Sequence, residues 1–476
     1  MTMNPTRPIT LAALALLAAC STPGESPAPR RLMAPTAVDN TAVPWPQADW
    51  WAAYGDATLN RLVDQALAGQ PGLQVLQARL RQAQAAVDVT AAASGPQANA
   101  ALDMTDQHFT KNGLIPPPLA GSTAWNNSAQ IGASWEWDLF GRQRAALDAA
   151  IGQQRAGQAE QQAARVLLAG QVTSAYFQLA RIVETRIVAV AALAQREQIA
   201  ALVRQRISAG LDTQLDLRQA EGLIAQSRVE IESLDEAAQR ARHALAELSG
   251  QQPDALLALS PRYAKVQHPA LPAALPLDLL GRRADLVAQR WRVEAALRDV
   301  DVARAQFHPN INLVGFVGLS SLGLSRFIDT GAVQYGAGPA LRLPIFDGGR
   351  LRANLGARQA EVDAAIEGYN GALLRALREV ADELSSLQSL ARQQRLQADA
   401  VAAAEGAHAL ALQRYRAGLG NFLTVLTAQT NVLAQQRNST ELTARLLASD
   451  VALSRALGGG FDAGSPDAVP LPAQAH

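Results

Sequence analysis

The sequence predicts an α+β chain built twice over, in which two-faced strands run directly into very long helices. Three observations carry this. Odd positions from Val333 are mostly apolar (Val333, Tyr335, Ala337, Leu341, Leu343) and even ones polar or small (Gln334, Gly336, Gly338, Arg342), which is strand alternation. After Asp347 the period becomes helical, with Ala353, Ala357, Ala360, Ala364 and Gly371 on one seam whose spacing averages about 3.5 residues. The same change occurs earlier. Trp125, Ala129, Ile131, Ala133, Trp135, Trp137 and Leu139 alternate with polar residues, and a helical seam of Ala145, Ala149, Gly152, Ala156 and Ala163 follows. A displacement of about 208 residues superimposes the two and carries Gln205-Arg206 and Ala209-Gly210-Leu211 onto Gln413-Arg414 and Ala417-Gly418-Leu419, the mark of a duplicated unit.

Composition narrows the function classes. Charge is balanced, 42 basic residues against 42 acidic, so no attraction to nucleic acid or to an anionic membrane surface is implied. Abundant Ala, Gln, Arg and Leu with few aromatics favours long helices in close contact. The six histidines (His108, His243, His268, His308, His408, His476) have no metal-ligand spacing, and there is no phosphate loop or nucleophile elbow. No enzyme, cofactor or metal site is expected, and Gly348-Gly349 reads as a turn.

Taken in order, residues 1–19 read as an export signal. Arg7 precedes the apolar run Ile9 to Leu17, which is too short to span a bilayer. Leu17-Ala18-Ala19-Cys20 resembles the bacterial lipoprotein cleavage motif, and Cys20 is the only cysteine. Diacylation there would anchor a Pro-rich tether, 20–50. Residues 51–95 are expected to be two helices, Asp56 to Ala68 and Leu73 to Ala93, broken by Pro71-Gly72. A hairpin over 96–139 has a turn-rich loop, His108 to Thr123. A helix from Arg142 to about Ser208, roughly 100 Å long at 1.5 Å per residue, pairs with one from Thr213 to Leu248 within 140–250. Residues 251–308 hold a Pro-marked segment and a helix, Leu279 to Gln306. A second hairpin, 309–346, precedes a second long pair, 347–458, and the tail 459–476.

After the signal no apolar run approaches the length of a spanning helix, whereas four alternating strands suit a membrane β-barrel. Four strands cannot close around a lumen, and an open edge in lipid leaves backbone groups unpaired at several kcal/mol each. In a membrane, several chains must therefore share one barrel. Trp125, Trp135, Trp137 and Tyr335 near strand ends fit interfacial belts. A soluble two-hairpin domain with one wet face predicts the same alternation.

The lipoprotein signal combines with Trp50-Trp51, Gly55-Asp56 and Leu59. It also combines with Trp137-Asp138-Leu139-Phe140-Gly141-Arg142, Leu343-Pro344-Ile345-Phe346-Asp347-Gly348-Gly349-Arg350 and Ala456-Leu457-Gly458-Gly459-Gly460. Over essentially the whole mature chain this resembles the outer-membrane factor family, the TolC-like or NodT-like efflux lipoproteins. The resemblance implies a homotrimer with a twelve-stranded outer-membrane barrel, four strands per chain, continuous with a long periplasmic α-helical coiled-coil barrel. It implies the exit duct of a tripartite efflux pump for drugs or other small amphipathic compounds, working with a periplasmic adaptor (membrane fusion protein) and through it an inner-membrane pump. Two departures stand out: Arg283-Ala284-Asp285 lacks the usual central proline, and Phe461 stands where Trp is common.

On this reading Gln97, Asn99, Asp103, Asn126, Gln130 and Glu136 line the barrel lumen, and the Phe140-Gly141-Arg142 and Phe346-Asp347-Gly348-Gly349-Arg350 turns join strand to helix. The turns at Gly210, Leu211, Thr213 and at Gly418, Leu419, Asn421 form the periplasmic tip that meets the adaptor. Gly relieves the left-handed helix stop there, and Thr213 and Asn421 suit N-caps. Glu405 with Arg414 and Arg416 is expected to hold the resting gate, and His408 to make it pH-sensitive. The competing class is a lipid-anchored periplasmic coiled-coil adaptor or structural lipoprotein.

Overall fold

The computed structural model describes residues 30–33, 45–263, 281–461 and 463. The export signal, Cys20 and most of the C-terminal tail lie outside them. A 3-10 turn, Trp50–Tyr54, leads into α1 (Ala57–Gly69) and α2 (Pro71–Ala93). The first hairpin, β1 (Gln97–His108) and β2 (Thr123–Trp137), runs into α3 (Arg142–Ser208) and α4 (Gln214–Leu248). The plan then repeats with α5 (Ala284–Ala305), β3 (Asn310–Leu322), β4 (Val333–Arg342), α6 (Arg350–Arg416) and α7 (Phe422–Ala456). The duplication is quantitative: α3 and α6 each have 67 residues, α4 and α7 each 35.

Local chemistry explains most boundaries. Asp56 caps α1 by accepting from Thr58 N at 2.8 Å. The break between α1 and α2 is Gln70 alone; Pro71 and Gly72, expected to be the break, form the first turn of α2, where proline has no intrahelical N–H to lose. Helix α5 begins at Ala284 rather than nearer Leu279 among the described residues. The missing proline at its start is harmless for the same first-turn reason. Arg283 binds Asp285 through two bonds (3.0 and 2.8 Å) and reaches Glu379 at 3.0 Å, which fixes the entry of the chain.

The four strands form one antiparallel sheet in the order β1-β2-β3-β4. Below it, α5 packs against both α3 and α6, while α2 packs mainly against α3. Consequently the two small-residue seams differ. Ala145, Ala149, Gly152 and Ala156 on α3 are buried under α5, with a Cβ on Gly152 falling 3.0 Å from that of Ala295. Ala353, Ala357, Ala360 and Ala364, the seam of the same phase on α6, are exposed within the chain. Helix α6 buries Leu351, Leu355, Val362, Ile366 and Tyr369 instead.

The main core lies partway down the helices. Trp50, Trp51 and Tyr54 pack with Leu59, Leu62, Val172, Tyr176 and Phe177. Tyr54 donates to Asp450 and Tyr176 to Asp56, each at 2.5 Å. Phe461 packs on the cluster of Val287, Ala288 and Trp291, so an aromatic of smaller size still fills this place. The tether is docked where it is described: Arg30 pairs with Glu367 at 3.0 Å, and Met33 N donates to Asn370 Oδ1 at 2.8 Å.

Gly458, Gly459 and Gly460 all have positive φ (95°, 56° and 81°) and are closely approached by other backbone or side chains. A Cβ on Gly458 would lie 1.7 Å from the Arg282 carbonyl oxygen, an overlap no side chain can relieve. Gly458→Ala should therefore abolish the native fold, read as loss of the cooperative thermal transition followed by circular dichroism. Gly222→Ala, at an exposed site in α4 with nothing within 4 Å, should leave that transition unchanged or raise its midpoint, since alanine is favoured by about 1 kcal/mol there.

Candidate functional site

Register sorts the sheet into two faces. One cross-strand row aligns Ala100, Ile131, Val317 and Tyr335, and another Trp137, Ile311 and Leu341. This face is apolar along most of its height. The other carries Gln97, Asn99, Asp103, Asn126, Gln130 and Glu136, the six residues expected to line a lumen, and register puts all of them on that one side. A sheet apolar on one face and polar on the other suits lipid outside and water inside.

Both edges of the sheet, β1 and β4, lack a strand partner among the described residues. The helices show the same incompleteness, because α2 has one free flank and the seam of α6 is bare. The repeat states what fits: α5 bridges α3 and α6, so the related α2 of one copy can bridge its own α3 and the α6 of the next. This head-to-tail contact also brings β1 to β4, and such contacts close into rings.

At the strand-to-helix junctions, Gly141 adopts φ 72° and Asp138 accepts from Gln143 N (3.1 Å) and Arg144 N (2.9 Å), capping α3. Arg142 turns up to the polar face and holds both oxygens of Glu136, at 2.7 and 2.6 Å. Phe140 stacks on His308 with 4.6 Å between ring centres. In the second copy Gly348 and Gly349 take positive φ, and Asp347 accepts from Gly349 N (3.0 Å) and Leu351 N (2.8 Å), so α6 begins at Arg350. Phe346 is 93% exposed, and Arg350 lines a cavity of about 790 Å³ with Arg142, His308 and Arg342.

At the far end both helix pairs turn on a left-handed glycine, Gly210 (φ 73°) and Gly418 (φ 76°). Thr213 forms a capping box with Asp216, and Asn421 accepts from Thr424 N at 2.9 Å. Leu211, Leu215, Leu419 and Leu423 stand exposed around the turns.

The tip also holds a cluster that sequence reading missed. Arg206, at the end of α3, binds Asp212 at 3.0 Å and donates to the Tyr415 carbonyl oxygen at 3.0 Å, while its guanidinium lies 4.4 Å over the Tyr415 ring. The Tyr415 hydroxyl donates to Asp212. Burial, and then the bond to Asp212, push the Tyr415 phenol well above its ordinary range, so it stays a donor. Three groups thus tie the first helix pair to the second. The signal was present in the repeat: Asp212 corresponds to Gly420, so Arg414, the counterpart of Arg206, has no such carboxylate and reaches the Leu419 carbonyl at 3.4 Å.

The residues expected to form the gate are not joined to one another in the chain. Glu405 accepts from Gln436 at 2.9 Å, and among the described residues no ion pair links it to Arg414 or Arg416. Nine and eleven residues along one helix are about 13 and 16 Å, beyond ion-pair reach. His408 is half-buried, its Nε2 has no partner, and burial lowers its pKa, so it is neutral at pH 7.

A sheet with two open edges, one face for lipid and one for water, on helices that descend to two capped turns defines a subunit of a shared-barrel channel. The chain belongs to the outer membrane efflux protein family, whose model matches residues 62–251 and 275–459. It is 32% identical to the multidrug resistance outer membrane protein MdtQ of Escherichia coli over 94% of this chain and 96% of that one. It is 41% identical to the fusaric acid resistance protein FusA of Burkholderia cepacia over 67% of this chain, a match that spans 61% of the relative. Among solved structures, the outer membrane protein VceC of Vibrio cholerae superimposes with a TM-score of 0.82 at 34% identity, covering 88% of this chain and all of that one. The protein is thus one subunit of a trimeric outer-membrane channel, the exit duct of an efflux system.

Loss of the tip cluster should be measurable without function. Asp212→Asn removes a charge-assisted network of about 1.5–3 kcal/mol, so amide exchange near 206–213 should quicken roughly 10- to 100-fold. Acid should act the same way at His408. Its pKa is depressed in the packed state, so the opened state takes up the proton first, and protection is lost as pH falls from about 6.5, the ordinary imidazole value. The protection factor near 408, which removes the slowing of the intrinsic base-catalysed exchange by acid, should therefore fall between pH 7.5 and 5.5 in the wild type more than in His408→Gln.

Proposed function

We propose that the tip is a docking surface for a periplasmic adaptor, through which an inner-membrane pump feeds small amphipathic compounds into the duct. The observation that carries this is the exposure of Leu211, Leu215, Leu419 and Leu423 around Gly210 and Gly418, at the end of the helices farthest from the sheet. Burying each leucine fully is worth about 1.5–3 kcal/mol, and both turns present two leucines at matching positions, so a trimer offers six similar contacts of two kinds. An adaptor presenting apolar helical ends between polar flanks fits that array. Thr213 and Asn421 set the pitch of the turns through their caps.

The resting constriction is held by Tyr415, Asp212 and Arg206, which bind the second helix pair to the first. Adaptor contact at Leu211 and Leu419 acts on this cluster directly, because Asp212 and Tyr415 are within one turn of them. Glu405, His408, Arg414 and Arg416 then line the lower stretch of the passage, with His408 as its acid-sensitive member. The six polar residues from Gln97 to Glu136 wet the upper lumen. The relatives named for resistance to fusaric acid and to multiple drugs support toxic organic compounds as cargo.

Residues 1–19 are removed on export, and the lipid on Cys20 fixes the tether 20–50 in the periplasmic leaflet. The ion pair from Arg30 to Glu367 supports this course, since it lies roughly 25 Å along α6 from Arg350, within the reach of ten extended residues. Palmitate incorporation should vanish in Cys20→Ser.

A double variant, Leu211→Asp with Leu419→Asp, should leave the trimer intact in outer-membrane fractions. It should also abolish crosslinking to the adaptor and lower the drug tolerance conferred by the complete system at least fourfold. Undiminished crosslinking would sink the docking assignment.

A further inference from the structure

The polar face of the sheet carries one aromatic side chain in the middle of the barrel. Cross-strand register aligns Asn99, Gly132, Phe316 and Gly336 in a single row. Along β3, Phe316 lies two residues from Gly318, whose own row holds Gln130 and Gln334, and two from Val314, whose row holds Ser134 and Gly338. Four of the surrounding positions on this face, Gly132, Gly318, Gly336 and Gly338, therefore have no side chain. The sheet's other aromatic rings, Trp125, Trp135, Trp137 and Tyr335, belong to the opposite face.

The ring fills one of these gaps. A Cβ on Gly336 would meet Phe316 Cε1 at 2.8 Å and Cζ at 3.1 Å, so the ring lies over the bare backbone of β4. Phe316 nevertheless remains 39% exposed. One side of it covers the wall and the other meets the water of the lumen. Gly318 is required to be bare for a separate reason, since a Cβ there would fall 2.3 Å from the Ala129 carbonyl oxygen of the neighbouring strand. The result is a recess floored by an aromatic ring and peptide planes, with the carboxamides of Gln130 and Gln334 along one side and Asn99 on another.

We propose that this recess is a stacking site for planar heteroaromatic solutes on their way through the barrel. A flat ring can lie on Phe316 in an offset stack, which the missing side chains at the glycines permit, while its polar substituents reach the carboxamides. Neutral amides hold such a solute without trapping ions, and three copies of the site surround one lumen. The site rests on the reading of the polar face as the lumen wall and adds a preference among cargoes to it.

The test is ion current through purified trimers in a planar bilayer, every trimer, including the one otherwise wild type, carrying Asp212→Asn to release the tip, with caffeine as the planar probe and sorbitol as a non-planar neutral one, added on the barrel side. Caffeine should interrupt the wild-type current and sorbitol should not. Phe316→Leu, which keeps an apolar cover over Gly336, should shorten the caffeine interruptions at least fivefold with the solute-free current unchanged. Phe316→Tyr, which keeps the ring, should retain them, and Gly336→Ala, which lifts the ring from the wall, should shorten them. Equal interruption times in wild type and Phe316→Leu, or equal block by sorbitol, would overturn the stacking site while leaving the channel standing. Absence of any current from the tip-opened, otherwise wild-type trimers, with release of the tip verified by faster amide exchange near 206–213, would overturn the lumen reading and the site together.

Discussion

A peptide group in hydrocarbon must be paired with another peptide group, and the rest of this molecule depends on that requirement. The four strands satisfy it for one another but leave β1 and β4 each with an open edge. The chain cannot bury those edges against itself, because each strand continues into a helix whose direction is already set by packing below. Assembly is therefore part of folding. The cyclic order of the helices follows the order of the strands, so one head-to-tail contact completes the barrel in the membrane and the helical cylinder beneath it.

Duplication explains how a chain with few aromatics builds so long an object. Each half supplies a 67-residue helix and a 35-residue partner, and small residues on the seams let backbones approach closely. Stability is then concentrated in a few places. The core around Trp50, Tyr54 and Phe177 sits partway down, where α1 and the 3-10 turn thicken the wall, and three consecutive glycines admit the crossing of the Arg282 and Gln47 backbones. The tip has a separate small core of Ile199, Val203, Tyr415, Phe422 and Val425. Separating a stable middle from a lightly held end allows the end to change shape without loosening the barrel.

Differences between the halves mark the places where a symmetric device would not serve. Asp212 in the first turn has Gly420 as its counterpart, so only one of the two related arginines is held by a carboxylate. Tyr415 then crosses from the second half to the first. A repeat with both locks would tie each turn to itself, whereas the single crossed lock ties the two pairs to each other.

Sequence alone determined the duplicated plan, the two-faced strands and the capped glycine turns. Each of these is local, written in a period of two or about 3.6 residues or in a cap a few positions long. The helix ends at Ser208, Leu248 and Arg416 were legible to within a residue for that reason. The tertiary structure alone decided which seam is covered, since Ala145 to Ala156 and Ala353 to Ala364 look alike and differ only in whether α5 happens to lie over them. It also decided the tip cluster, where Arg206 and Tyr415 are 209 residues apart in the chain and share a bond only because two helix pairs end side by side. Glu405, Arg414 and Arg416 show the converse: their charges are close in sequence, but the rise of the helix carries them apart.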